Sequence, residues 1–133
     1  YWNDADATRS ALRGGWLHTG DLGGLTPDGH VEVRGRRSDL IVTGGENVYP
    51  AEVEAALIEQ DGVAEAVVVG LSDTEWGEQV GAQTVGAILG GLRTTLAGYK
   101  IPRRALAVDA LPRLGSGKVN RRAARRLLER DED

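Results

Sequence analysis

The stretch "LPRLGSGKVN", residues 111–120, sets Lys118 behind Gly115, Ser116 and Gly117, with Pro112 and Arg113 just ahead. Glycines beside a lysine can cradle a phosphate, because backbone N–H groups come close to oxygen where no side chain intervenes. The P-loop pattern is not met: Pro112 stands where its first glycine is needed, and Val119 where its Ser or Thr is needed. On its own the stretch reads equally as a surface loop feeding a helix. "RGRRSDLIVTGGEN" gathers Arg34, Arg36 and Arg37 beside Ser38 and Asp39. A guanidinium fork suits phosphate or ribose oxygens, and the same charges suit a solvated strand edge guarded against aggregation. In "HTGDLG", Asp21 is either a turn residue or a carboxylate that accepts both hydroxyls of a sugar diol.

The elements that must position these residues read as follows. Asn3 or Asp4 can cap a helix over 3–13. Pro27-Asp28-Gly29 is a turn into a half-exposed strand, in which Val31 and Val33 alternate with Glu32 and Arg34. A strand over 39–43 is closed by Gly44 and Gly45. "NVYPAEVEAALIEQDG" is a helix with Pro50 in its first turn, Glu52 and Glu54 near its positive end and Gly62 at its stop. Val53, Ala56, Leu57 and Gln60 form its inward stripe. The continuous apolar run over 63–73 predicts a buried strand. Residues 77–89 are ambiguous, with "QVGAQTV" readable as a strand. A short helix over 91–99 and a strand over 104–112 follow. Asn120 then caps a final helix with Ala123, Ala124, Leu127 and Leu128 on one face, and "DED" forms a frayed acidic tail. The order gives an α+β unit, a short sheet flanked by helices.

Composition narrows the classes. The 133 residues carry 16 Lys+Arg against 20 Asp+Glu, a net charge of −4, which argues against general nucleic-acid binding. No apolar run is long enough to span a membrane, and no signal-peptide pattern opens the chain. The absence of cysteine excludes disulfides and thiolate metal sites and fits a cytoplasmic setting. With His18 and His30 the only histidines, a His-based metal cluster and a Ser-His-Asp triad are disfavoured, and no metal site is expected. The chain lacks methionine and starts at Tyr1 within a polar, turn-rich stretch, so a piece of a longer polypeptide is expected.

Taken together, the three stretches resemble the C-terminal part of the adenylate-forming (AMP-binding) enzymes, the superfamily of acyl-CoA synthetases, nonribosomal peptide adenylation domains and luciferases. "GWLHTGDLG" is similar to their core aspartate motif, "GRRSDLIVTGGENVYPAEVE" to their hinge motif and following glycine loop, and "LPRLGSGKVNR" to their terminal lysine motif. "DTEWGEQV" and "LAGYKIP" fit the acyl-CoA ligase branch. The resemblance implies that residues 1–35 are the tail of a large N-terminal domain, 36–38 the hinge and 39–133 a small C-terminal lid. It implies a two-step reaction in which a carboxylate attacks the α-phosphate of ATP, and a thiol, usually of CoA, then displaces AMP. Lys118 would bond substrate carboxylate and phosphate oxygens, Asp21 would accept the ribose hydroxyls, and Arg36 would face the nucleotide. Ser38 would be the hinge residue, and Gly44 and Gly45 would border the pantetheine channel. ATP and CoA are the implied co-substrates of a carboxylic acid, with Mg2+ held mainly by the large domain of the same polypeptide.

The chain departs from the family pattern in three ways. Ser38 stands where many members have Asp or Lys. The segment between Val80 and Leu92 is short for the family. The phosphate loop and acyl pocket of the large domain are missing, so the chain alone is expected to be inactive. "SDLIVTGGENVYPAEVE" resembles the o-succinylbenzoate–CoA ligases of menaquinone synthesis, and fatty-acid and aryl-acid CoA ligases carry much the same words. A nonribosomal adenylation domain loading a carrier protein is the alternative within the family. Outside it, Lys118, Arg121, Arg122, Arg125 and Arg126 could make a phosphate- or nucleic-acid-binding module. Against that, the helix offers no stacking aromatic, and Glu129 sits near Arg125 and Arg126. No nucleic acid and no membrane span are expected, and a homodimer is left open.

Overall fold

The computed structural model describes residues 1–86 and 90–130. Two compact units divide it, Tyr1–Ser38 and Asp39–Asp133.

In the first unit, helix α1 spans Ala5–Ala11, shorter than expected at both ends. Asp4 caps it, its side chain accepting the Ala7 N–H at 2.8 Å. Strands β1 (Asp21–Leu25) and β2 (Val31–Arg36) form an antiparallel ribbon with Asp21 opposite Arg36 and Leu25 opposite Val31. The sequence reading treated the first of these strands only as Gly-rich turns. No residue of this unit is buried, and the strand expected to be half-exposed shows Val31 and Val33 to solvent at 74% and 65%.

The second unit holds a mixed sheet. Strands β3 (Ile41–Thr43) and β4 (Glu46–Val48) form a tight hairpin. Strand β5 (Val63–Asp73) pairs antiparallel along its length with β6 (Gly77–Gly86). Strand β7 (Arg104–Val108) runs parallel to β6, and β3 meets β6 at Thr43–Gly77. Helix α2 (Pro50–Ile58) covers one face, with Val53, Ala56 and Leu57 against Ile41, Val48, Val68, Val80, Ala82 and Leu92. Helix α3 (Arg121–Arg130) covers the other, with Ala124 and Leu128 against Val67, Val69, Leu71 and Leu111. Strand β5 thus feeds its even and odd valines into two cores, which is why its sequence is apolar without alternation.

Several sequence expectations are corrected. Residues 91–99 are not a helix but lie across two 3-10 turns, Gly90–Thr94 and Gly98–Lys100. With glycines at both ends and two threonines between, the stretch is too short and too poor in helix formers to meet the nucleation cost. The strand expected over 104–112 stops at Val108, and the one over 39–43 starts at Ile41, after a 3-10 turn over Arg37–Asp39. The second helix is confined to 50–58, and Gln60 lies beyond its end. On α3, Leu127 is 42% exposed, so the buried stripe is Ala124 and Leu128. The stretch left ambiguous over 77–89 holds β6 up to Gly86, and its end (87–89) and the acidic tail 131–133 lie outside the described residues.

Candidate functional site

The residues singled out by sequence fall in two groups, Asp21, Arg36 and Ser38 in the first unit, and Gly44, Gly45 and Lys118 in the second.

The β1–β2 register brings Asp21 and Arg36 together. Arg36 Nε lies 2.8 Å from Asp21 Oδ1, and its Nη1 donates to the Thr19 carbonyl at 2.9 Å. The Asp21 N–H donates to Thr19 Oγ1 at 3.1 Å, and Arg37 N–H to the Gly20 carbonyl at 2.9 Å, closing this end of the ribbon. The aspartate is therefore oriented through one oxygen, and the pair is half-exposed. Beside it opens a cavity of about 810 Å³, lined by Ala11, Arg13, His18, Thr19, Asp21 and Arg37 among others. That volume is ample for a nucleoside-sized ligand.

Ser38 lies inside the 3-10 turn, at the last residue of the first unit. Its neighbour Asp39 pairs with Arg121, Oδ2 to Nε at 3.4 Å. Arg121 also grips both carboxylate oxygens of Glu54, at 2.5 and 3.1 Å, and donates to the Val68 carbonyl at 2.8 Å. Glu54 in turn accepts the Val68 N–H at 2.8 Å. Burial opposes the Arg121 charge, but the Glu54 hydrogen bond and the Glu54 and Asp39 charges outweigh it and hold the guanidinium above its usual range.

Gly44 and Gly45 make the two-residue turn between β3 and β4, with φ of +57° and +85°. Such a turn needs φ above zero at both positions, which glycine meets without strain. A second constraint falls on Gly44 alone. A Cβ there would sit 2.5 Å from Cε3 of the Trp76 ring, whereas one on Gly45 would meet nothing within 4 Å. Trp76 is fixed by the β5–β6 turn. Its N–H and that of Glu75 donate to Asp73 Oδ1 at 2.8 and 2.9 Å, which holds the Asp73 carboxyl below its ordinary range. The Arg103 guanidinium lies over the Trp76 ring at 5.0 Å. Sequence reading quoted Trp76 and gave it no role. The contact runs between β-turns remote in the chain, where no local spacing signals it.

Lys118 stands on a folded-back turn. The Leu114 N–H donates to the Lys118 carbonyl at 2.8 Å, and the Gly117 N–H to the Leu114 carbonyl at 2.9 Å. Gly117 takes φ +82°, and Arg113 bridges to Val119. Buried Leu111 anchors one end, and at the other Asn120 Oδ1 accepts the Ala123 N–H at 3.1 Å to cap α3. The Lys118 side chain is exposed and has no hydrogen-bond or ion-pair partner among the described residues. Arg113, also missed by sequence reading, sends Nη1 to the Gly117 carbonyl at 2.9 Å and pairs through Nη2 with Glu65. Of the cations that follow, Arg121 is committed as above, and Arg125 to Glu129 at 2.9 Å and to Ser72 at 3.2 Å.

A mixed sheet between two helices, a double-glycine hairpin and a presented lysine define a class. Residues 52–118, just over half the chain and ending on Lys118, match the model for the AMP-binding enzyme C-terminal domain, and the chain belongs to that family. Over 97% of its length it is 48% identical to the 2-succinylbenzoate–CoA ligase of Bacillus cereus, of which it spans 28%. All of it superposes on 28% of the o-succinylbenzoate CoA synthetase of Bacillus subtilis, solved with the acyl-adenylate intermediate (40% identity, TM-score 0.82). It superposes likewise on 28% of ATP-bound MatB from Rhodopseudomonas palustris (35% identity, TM-score 0.86). The chain thus spans little more than a quarter of the relatives it matches.

Proposed function

We propose that this chain is the lid end of an AMP-forming acid–CoA ligase, acting on 2-succinylbenzoate within a polypeptide that supplies the acyl pocket. The observation that carries this reading is the exposed lysine on its turn, without a partner among the described residues, at the end of the matched family segment. In the first step a carboxylate oxygen forms a bond to the α-phosphorus of ATP, and the bond to the β-phosphate oxygen breaks, releasing pyrophosphate. Both reactants are anionic, so a cation held between them lowers the barrier. Lys118 supplies that cation through Nζ. Asp21, oriented by Arg36, accepts the ribose hydroxyls.

In the second step the thiol sulfur of CoA attacks the acyl carbonyl, and AMP leaves. Residues 1–35 act as the tail of the large domain, and the lid turns about 36–38, with Ser38 as the pivot. Gly44 and Gly45 then border the path of the thiol arm, where Gly45 leaves open space for it. Among the described residues no three His, Asp or Glu side chains group as a metal site. The reading assigns the Mg2+ that accompanies ATP mainly to the large domain and expects this chain alone to be inactive.

The test is Lys118→Ala in the full-length enzyme. Pyrophosphate exchange with 2-succinylbenzoate should fall by several orders of magnitude, while thioester formation from supplied acyl-adenylate is largely spared. An equal fall in both half-reactions would sink the assignment of Lys118 to adenylation.

A further inference from the structure

We propose that Arg113 is a positioning residue for Lys118, acting through a two-armed brace that ties the lysine turn to strand β5. This rests on the adenylation role assigned to Lys118 above. The backbone bonds of the turn fix its fold, but they leave it standing out from the sheet between Leu111 and Asn120. Val119 at its base packs against the α3 core, and Arg113 adds a polar tie from the turn to the sheet. One guanidinium arm holds the carbonyl of Gly117, the residue immediately before Lys118, at 2.9 Å. The other arm pairs with Glu65, 48 positions away on β5. The planar fork lets one side chain make both bonds at fixed angles, which an ammonium group cannot do. Gly117, the residue so gripped, is also the turn's positive-φ position. The peptide that carries Lys118 is therefore held from both its turn and the sheet.

The chemistry gives this weight. Electrostatic help to an attacking carboxylate depends on where the cation sits, and an error of about 1 Å can cost about 100-fold in rate. Lys118 is long and exposed, and among the described residues its Nζ has no hydrogen-bond or ion-pair partner to fix it before substrate arrives. Its accuracy comes from the backbone beneath it. The Arg113–Glu65 pair is half-exposed on both sides, and such pairs add little to global stability. The brace should therefore matter for rate and hardly for folding.

The experiment uses the full-length enzyme with 2-succinylbenzoate, ATP and CoA. Arg113→Ala, Arg113→Lys, Glu65→Ala and Lys118→Ala are each assayed for pyrophosphate exchange, for thioester formation from supplied acyl-adenylate, and for thermal midpoint. Arg113→Ala should lower the exchange kcat by about 10- to 100-fold with the KM for ATP little changed. Thioester formation should be intact and the midpoint should hold within about 2 °C. Arg113→Lys and Glu65→Ala should fall between it and the parent, each losing one arm. Unchanged exchange in Arg113→Ala, or a parallel loss of both half-reactions with a lowered midpoint, would overturn the brace. A Glu65→Ala variant identical to the parent would overturn the link to β5. Exchange that survives in Lys118→Ala would instead overturn the functional reading on which the brace depends.

Discussion

The two units solve the burial problem differently. The second carries two cores, one under each helix, with Ile41, Leu57, Leu71 and Leu128 almost wholly removed from water. The first has no buried residue, and its tryptophans Trp2 and Trp16 are 94% and 76% exposed. A ribbon of five- and six-residue strands with a seven-residue helix is marginal by itself. Exposed apolar surface of this extent is the mark of an interface. In the proposed reading, the second unit keeps its own shape as the lid turns, and the first borrows support from the large domain. Their candidate residues follow the same division. Asp21 and Arg36 hold each other on the dependent unit, and Lys118 and the glycines sit on the self-sufficient one.

The largest expected effect that breaks this contrast is the loss of adenylation in Lys118→Ala described above, which acts on the self-sufficient unit without touching its cores. Next is Leu128→Ala in the full-length enzyme. It should destabilise the second unit by about 2–5 kcal/mol in denaturant unfolding, because Leu128 is fully buried in the α3 core and its loss leaves a cavity. Val33→Thr on the first unit, tested in the isolated chain, should change stability by no more than about 0.5 kcal/mol, since that side chain is already in water. A larger loss would show that the ribbon buries its apolar face in a second copy.

A finer comparison lies within the glycine turn. Gly44→Ala should weaken the second unit, because the new methyl meets the Trp76 ring as well as an unfavourable φ. Gly45→Leu should fall mainly on the CoA step, read as a larger loss in thioester formation than in pyrophosphate exchange. The smallest effect concerns pH. The folded Asp73 carboxyl titrates below its unfolded value, so its contribution is present above the ordinary carboxylate pKa of about 4 and is lost as pH falls through the lower folded value. Asp73→Asn should flatten the acid limb of a stability-against-pH curve, checked by urea midpoints between neutral and acid pH. An unchanged acid limb would remove Asp73 from that role.

How much was legible follows from how local each signal was. Strand β5 and helix α2 announced themselves through an unbroken apolar run and through Pro50 with its Val53, Ala56 and Leu57 stripe. Strand β4 did not, because "ENV" holds only three residues, of which Val48 alone is buried. The 91–99 helix was misread from a window where two threonines and a glycine favoured tight turns. At the candidate site, Asp21, Arg36, the glycine pair and Lys118 stood out by motif. Their direct contacts were less visible. The Asp21–Arg36 pair depends on strand register, and the Arg113–Glu65 and Trp76–Gly44 contacts depend on segments far apart in sequence.

The Arg121 cluster has a mechanical meaning. It pins α2, β5 and α3 to Asp39, the residue directly after Ser38. If the chain turns at Ser38, torque enters the second unit at Asp39 and reaches the helix behind Lys118 through the Arg121 guanidinium as well as through β3 and the sheet. The unit then behaves as a stiff lever whose crank is fixed one residue from its axle. On that reading, angular play at the lysine would come mainly from the backbone torsions at the pivot.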